Sequence, residues 1–312
     1  MLNPSELYEL TDAEQAPLGQ AGERPVLVHA LTGFVDAGNA ARLAREHLLS
    51  VGSPRTVASF DLDQLYDYRG RRPAMLFVED HWEHYEQPTL LLRALRDASG
   101  TEFLLLDGPE PDLQWERFTA AVLELIERFD VRATVGLTAI PMAVPHTRPT
   151  GVTAHGTNRD LIAGFEPWLQ RVQVPGSVGN LLEYRIGQQH RDAFGFAVHV
   201  PHYVAQAEFP AAAEKLLACL ADATGLRVPM DELHASADSV RAEIDVQIAQ
   251  ADEAASLVRA LEEQYDAFTR GRTANNNLLA DSPAPLPTAD EIGAELERFL
   301  AEHTKGDEPP LG

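Results

Sequence analysis

The chain has 312 residues, with 48 acidic against 25 basic side chains, a net charge of −23 and a single cysteine. A chain of this length buries enough surface for one large or two modest domains without covalent staples, and a lone Cys219 excludes a disulfide framework or a multi-cysteine zinc site. The acidic surplus argues against nucleic acid and against anionic membrane surfaces, since both are held by clustered Lys and Arg.

Residues 1–24 read as a polar, irregular N-terminal arm with a small apolar patch at Leu7, Tyr8 and Leu10. They lack the basic and apolar blocks of a leader, and no window approaches 18 uninterrupted apolar residues, so no membrane span and a cytoplasmic location are expected. Pro25–Leu31 is a continuous apolar run, predicted to be a buried strand. Asp36 is placed as an N-cap of a helix over Ala37–Leu49 closed by Gly52, and Thr56–Leu62 reads as a second strand parallel to the first. Met75–Glu79 and Thr89–Ala94 read as strands around the polar stretch Asp80–Gln87. Glu102–Leu106 is a further strand, expected to break at Asp107-Gly108-Pro109. The helix that follows, Asp112–Phe129, places Trp115, Phe118, Val122, Leu125, Ile126 and Phe129 on one face. Strands are predicted at Val131–Ile140, Gly151–His155 and Phe194–Val200, and helices near Leu181–Gln188 and over Pro210–Ala223. Strands alternating with helices predict an α/β fold with helices on both faces of a parallel or mixed sheet.

After Pro229 the pattern changes. Leu233, Ala237, Val240, Ile244, Gln247, Ala251, Ala254, Val258, Leu261, Tyr265 and Phe268 step by three or four, the signature of one long amphipathic helix or a helix pair with a narrow seam. Residues 231–312 hold 18 acidic and 6 basic side chains, so this C-terminal module carries more than half of the net charge. A Pro-rich linker and a last helix, Ala289–Glu302, opened by the capping box Thr288–Glu291, are predicted beyond it. The expected organisation is an arm (1–24), a core (25–228), a helical appendage (229–272), and a linker, last helix and tail (273–312).

Five stretches carry a family resemblance: His29-Ala-Leu-Thr-Gly-Phe-Val-Asp-Ala-Gly-Asn39, Asp107–Asp112, Val144-Pro-His-Thr-Arg-Pro149, Gly151-Val-Thr-Ala-His-Gly-Thr157 and Val174-Pro-Gly-Ser-Val-Gly-Asn180. Over roughly residues 24–225 the chain resembles the proteasome assembly chaperone 2 family in its bacterial form. The resemblance implies a three-layer α/β/α sandwich with a phosphorylase/hydrolase-like core and mixed sheet, and a homo-oligomer, with a trimer as its stoichiometry. It implies a chaperone-like role and assigns no catalytic residue. The family's chaperones dock through a C-terminal hydrophobic–tyrosine–any tripeptide, where this sequence ends Pro310-Leu311-Gly312.

Two readings of the polar residues stay open. In the first the protein is an interaction factor, with a partner met through the acidic C-terminal helices. In the second it is a small-molecule hydrolase or transferase whose crevice is lined by His29, Asp36, His146, Arg148, His155 and Asn180. Gly33 and Asn39 sit at a strand-to-helix turn, where ligands collect in open α/β sheets, although no phosphate-loop motif is present. Gly176, Ser177, Gly179 and Asn180 precede a helix and either cradle an anion or simply cap that helix through Ser177. His146, Arg148, His155 and Asn158 lie in loops after strands, where His shuttles protons and Arg clamps a carboxylate or phosphate; the bland alternative is a rigid, proline-shaped interface loop. Arg69 either clamps a ligand or decorates a surface turn. The His81–His84 pair lacks metal-site spacing, and no metal or cofactor is expected. Cys219 reads as a small buried hydrophobe.

Overall fold

The computed structural model describes residues 2–11, 24–33, 35–165 and 171–270. Its centre is an eight-stranded mixed sheet. In chain order the strands and helices are β1 (Tyr8–Leu10), β2 (Val26–Thr32), α1 (Ala40–Val51), β3 (Arg55–Phe60), β4 (Met75–Val78), β5 (His81–Tyr85), β6 (Leu91–Arg96), β7 (Glu102–Pro109), α2 (Trp115–Arg128), β8 (Ala133–Met142), β9 (Val152–Gly156), α3 (Val178–Gln188), β10 (Ala193–Pro201), α4 (Pro210–Thr224), α5 (Asp231–Ala249) and α6 (Asp252–Arg270). The sheet order is β1-β3-β6-β7-β2-β8-β10-β9, while β4 and β5 pair only with each other. β7, β2, β8 and β10 form a contiguous parallel block, flanked by antiparallel pairings at both ends.

The alternating side chains of the central strands fill two cores. From β2, Val26, Val28 and Ala30 face α1, α4 and α5, while Leu27 faces α2 and α3. From β7, Phe103 and Leu105 take the first side and Leu104 and Leu106 the second. The two-residue period of a strand thus sorts one apolar run into both layers, and helices cover both faces, as expected for an α/β/α sandwich. The α2 stripe behaves as its spacing predicts: Phe118, Val122, Leu125 and Ile126 are buried. In contrast, α4 is apolar around most of its circumference, burying Ala211, Ala212, Ala213, Leu216, Leu217, Cys219 and Leu220. It lies between the sheet and α5, so it has little solvent face to spare.

Four local expectations change. β3 does run in the same direction as β2, but β6 and β7 lie between them. These two strands are joined by the Asp97–Thr101 turn, in which the Asp97 carboxylate accepts the Ser99 and Thr101 amides (2.8 and 2.9 Å), and the ready-made hairpin inserts between β2 and β3. β7 does not break at Asp107-Gly108-Pro109 but continues to Pro109. Gly108 permits this with a φ of 143°, and a β-carbon there would lie 2.3 Å from the Thr89 carbonyl oxygen. The polar stretch 80–87 contributes a strand of its own, β5, hydrogen-bonded to β4. In the N-terminal arm, Tyr8–Leu10 is the antiparallel edge strand beside β3, and Leu7 is fully buried.

The C-terminal seam resolves into two helices, α5 and α6, that break around Gln250-Ala251. α5 lays Leu233, Ala237 and Ile244 against α4. The predicted linker and the Ala289–Glu302 helix lie outside the described residues. Among the described residues no helix is long and apolar enough to cross a membrane. Phe118, with no exposed surface and its ring 5.0 Å from that of Phe60, ties α2 to β3. Phe118→Ala is expected to lower stability by about 3–5 kcal/mol in urea unfolding at fixed protein concentration; a loss under about 1 kcal/mol would contradict this packing.

Candidate functional site

One row of the sheet joins two of the candidate histidines. His29 of β2 is in register with Gly136 of β8, Gly136 with Gly195 of β10, and Gly195 with His155 of β9. The two glycines make the trough in which the imidazoles lie. A β-carbon at Gly136 would come within 2.8 Å of the His29 ring, and one at Gly195 within 2.6 Å of the His155 ring. Helix α3 closes the row: Gly179 passes over His29, and Glu183 accepts a hydrogen bond of 2.8 Å from Nδ1 of His155. His29 is 5 % exposed, and burial drives its pKa down to about 4, against a smaller opposing pull from the Glu183 charge. It is therefore a neutral, packed imidazole at neutral pH.

The two helix N-termini proposed for anions are filled by the protein's own carboxylates. Asp36 does not cap the first turn at Ala37–Asn39. That turn is 3₁₀, with Gly38 and Asn39 at positive φ (65° and 51°), and it precedes α1. The Asp36 carboxylate reaches past it to accept the Ala41 and Arg42 amides at 2.8 and 2.9 Å. Burial raises the Asp36 pKa, and these two amides oppose that rise. At α3, Ser177 accepts the Asn180 amide (3.2 Å), and Glu110, from the end of β7, accepts the Val178 amide (2.5 Å). Glu110 crosses the backbone of Gly33, where a β-carbon would overlap its carboxylate, so Gly33 provides passage for an internal cap. Orphan amides and the positive helix end are thereby satisfied from within.

His146 and Arg148 project from the loop after β8 onto the C-terminal helices. The side chain of His146 is 1 % exposed; its Nδ1 is 2.6 Å from the Tyr203 hydroxyl and its Nε2 is 3.0 Å from Asp245 of α5. Arg148 grips Asp266 of α6 with two parallel hydrogen bonds of 2.8 Å and reaches Glu262 at 3.2 Å. Thr147 also bonds Glu262, and the Tyr265 hydroxyl donates to the Pro149 carbonyl (3.1 Å). This loop is a docking platform for α5 and α6. The partner residues Asp245, Glu262 and Asp266 were missed by the sequence reading. Glu262 and Asp266 are spaced i, i+4 on a predicted helix, so a shared acidic face was readable, but nothing local named Arg148 as its counterpart.

The remaining candidates do not join a common crevice. Asn158 caps a 3₁₀ turn by accepting the Asp160 amide (3.1 Å), and Arg69 is an exposed turn residue whose amide donates to Asp67 (2.9 Å). Gly176 and Asn180 are exposed at the start of α3. Asp36 belongs to the α1 side of the sheet, His29 and His155 to the α3 side, and His146 and Arg148 to the helical platform. Among the described residues no group of three His, Cys, Asp or Glu is placed to hold a metal ion.

Two outcomes follow. The unfolded chain takes up a proton at His29 below about pH 6.5, whereas the folded chain resists until about pH 4. Stability is thus complete above about pH 6.5 and falls as the pH drops towards 4, by roughly 1.4 kcal/mol per unit at the steepest. His29→Leu should reduce that slope in urea unfolding run across this range, leaving the share of His199, whose pKa burial also lowers to about 4, and an unchanged slope would refute the assignment. Arg148→Ala should speed hydrogen exchange along α6 and leave α2 and α3 unaffected; equal rates in α6 would show that the clamp is idle.

Solved structures share this architecture. A Mycobacterium tuberculosis protein of unknown function is 51% identical, with a TM-score of 0.82, over 88% of this chain and 92% of that one. A Corynebacterium glutamicum protein of unknown function is 39% identical, TM-score 0.82, over 85% of this chain and 98% of that one. A Mycobacterium tuberculosis proteasome-assembly chaperone homologue is 28% identical, TM-score 0.69, over 75% of this chain and 99% of that one. No curated protein matches the sequence. The PAC2 family profile matches residues 30–248, which span β2 to α5 and hence nearly all of the sandwich, and the chain belongs to the PAC2 family.

Proposed function

We propose that this protein is a chaperone-like interaction factor that works as a homo-oligomer, a trimer by family resemblance, and meets a protein partner through the acidic outer face of α5 and α6. Family membership and the likeness to a proteasome-assembly chaperone homologue support the general role. The observation that carries the finer reading is the way the helix pair is mounted. Its acidic side chains fall into two main sets, with Asp238 left to pair with His234 and Arg241 within α5. Asp245, Glu262 and Asp266 turn inward to His146, Thr147 and Arg148 and hold the pair on the core. Asp231, Glu232, Glu243, Asp252, Glu253 and Glu263 are exposed and make no ion pair among the described residues. An anionic ridge whose helices are fixed in place by their inner face suits a basic protein surface, because the backbone that carries the charges is already positioned before docking.

The sandwich supports the same reading from the other side. The amides that would cradle a phosphate at α1 and α3 are taken by Asp36 and Glu110. His146 and Arg148 spend their polar atoms on Asp245 and Asp266 of the helix pair.

The test is charge reversal of the ridge: Glu232→Lys, Glu243→Lys, Glu253→Lys and Glu263→Lys together, with the inward acids left alone. Partner capture from the native cell extract should be lost in the variant and weakened by salt for the wild type, while the circular dichroism melt is unchanged. Capture of the same partner by the variant, at undiminished strength and without salt dependence, would remove the acidic helices from the proposal.

A further inference from the structure

The row from His29 to His155 holds a feature that packing alone does not explain. His29 is 5 % exposed, yet neither of its ring nitrogens makes a hydrogen bond among the described residues; the groups that act on it are the charges of Glu183 and His155. A neutral imidazole carries one N–H donor and one acceptor nitrogen. Buried polar groups are nearly always partnered, and the exceptions gather where a protein does chemistry or holds a small molecule.

His155 is the complement of His29. Its Nδ1–H donates to Glu183 at 2.8 Å, which fixes the tautomer and leaves the lone pair on Nε2. The His155 side chain is 36 % exposed, so this end of the row opens to solvent. The two glycines bring the rings together. A β-carbon on Gly136 would lie 2.8 and 2.9 Å from Cε1 and Nε2 of His29, and one on Gly195 would lie 2.6 and 3.0 Å from the same atoms of His155. Gly136 and Gly195 are register partners, so the two Nε2 edges sit over adjacent strands, roughly 4.8 Å apart.

We propose that this row is a proton-transfer site for a small uncharged carbonyl compound, with His155 as the base and His29 as the hydrogen-bond donor to the carbonyl oxygen. The activity is separate from the docking role of α5 and α6. Nε2 of His155 takes a proton from the carbon next to the carbonyl. The C–H electron pair becomes a C=C bond, the carbonyl π pair moves onto oxygen, and that oxygen accepts a hydrogen bond from His29. The same proton, or one from solvent through the open end, then returns to carbon, so no oxidant, reductant or co-reactant is consumed. Glu183 is a positioning residue that holds the His155 ring.

Three observations select this chemistry over acyl or phosphoryl transfer. The Val178 and Asn180 amides at the start of α3 are already taken by Glu110 and Ser177, so neither is left to hold an oxyanion or a phosphate. The carboxylate beside His155 is Glu183, which repels an anionic substrate. Burial keeps His29 neutral, and a neutral imidazole polarises a carbonyl without surrendering its proton.

The test is deuterium uptake from heavy water into the carbon-bound positions of dihydroxyacetone, followed by NMR with the full chain. The wild type should exceed the buffer rate, and His155→Gln should lose about a hundred-fold or more of that activity. Glu183→Gln should lower kcat by about ten-fold or more with KM little changed, and Glu183→Asp should restore part of it. A second readout needs no turnover: acetohydroxamate, a planar mimic of the enolate, should shift the Cε1–H signals of His29 and His155 and leave that of exposed His234 in place. A wild type that exchanges at the buffer rate overturns the activity, and histidine signals that do not move overturn the site as well. Exchange that survives undiminished in a folded His155→Gln variant also overturns the inference.

Discussion

The structure depends on β2 being hydrogen-bonded along both edges, to β7 and to β8, with side chains entering both cores. A strand in that position tolerates no polar residue that lacks a place, and His29 is the exception that shows how the place is made. Two glycines in the same row, Gly136 and Gly195, leave the volume that the imidazoles of His29 and His155 occupy. The alternative, a side chain on either glycine, would force the histidines or α3 outward. The row thus fixes how closely α3 approaches the sheet, and through Glu110 and Ser177 how the α3 N-terminus is finished.

The same economy of polar groups shapes the surfaces. Asp36 and Glu110 close helix ends of the kind that dinucleotide-binding α/β folds leave open for phosphate. His146 and Arg148, the residues most suggestive of chemistry, are spent on holding α5 and α6. What remains available to partners is peripheral: an acidic ridge on the helix pair and an aromatic ribbon on the β4–β5 hairpin. The two are complementary in character. The ridge is charged, whereas the ribbon exposes Met75, Phe77, Trp82 and Tyr85.

Much of the fold was legible because it is written in periodicity. The runs at 26–32, 102–106 and 133–140, and the stripe from Phe118 to Ile126, are local patterns whose meaning does not depend on distant residues. The break at Gly108 was misread for the opposite reason. Asp-Gly-Pro is turn-forming by composition, but here the adjacent Thr89 carbonyl and the pairing with β2 carry the strand through it. The exposed face of the hairpin was also illegible: Met75, Phe77, Trp82 and Tyr85 are what a buried strand pair would contain, and only the coordinates show that nothing in the described chain covers them.

By itself the sequence determined the alternation of strand and helix, the acidic helical extension after Pro229, and the family that the five motif stretches resemble, since each depends on residue type at short spacing. Only the tertiary structure decided what the polar residues do. His29, Asp36, His146, Arg148, His155 and Asn180 are compatible in type with one crevice, yet they end in three separate places, because the sheet register and the docking of α5 and α6 are set by contacts between residues as far apart as Arg148 and Asp266. Side-chain chemistry is a local property, whereas convergence is a property of the packed whole.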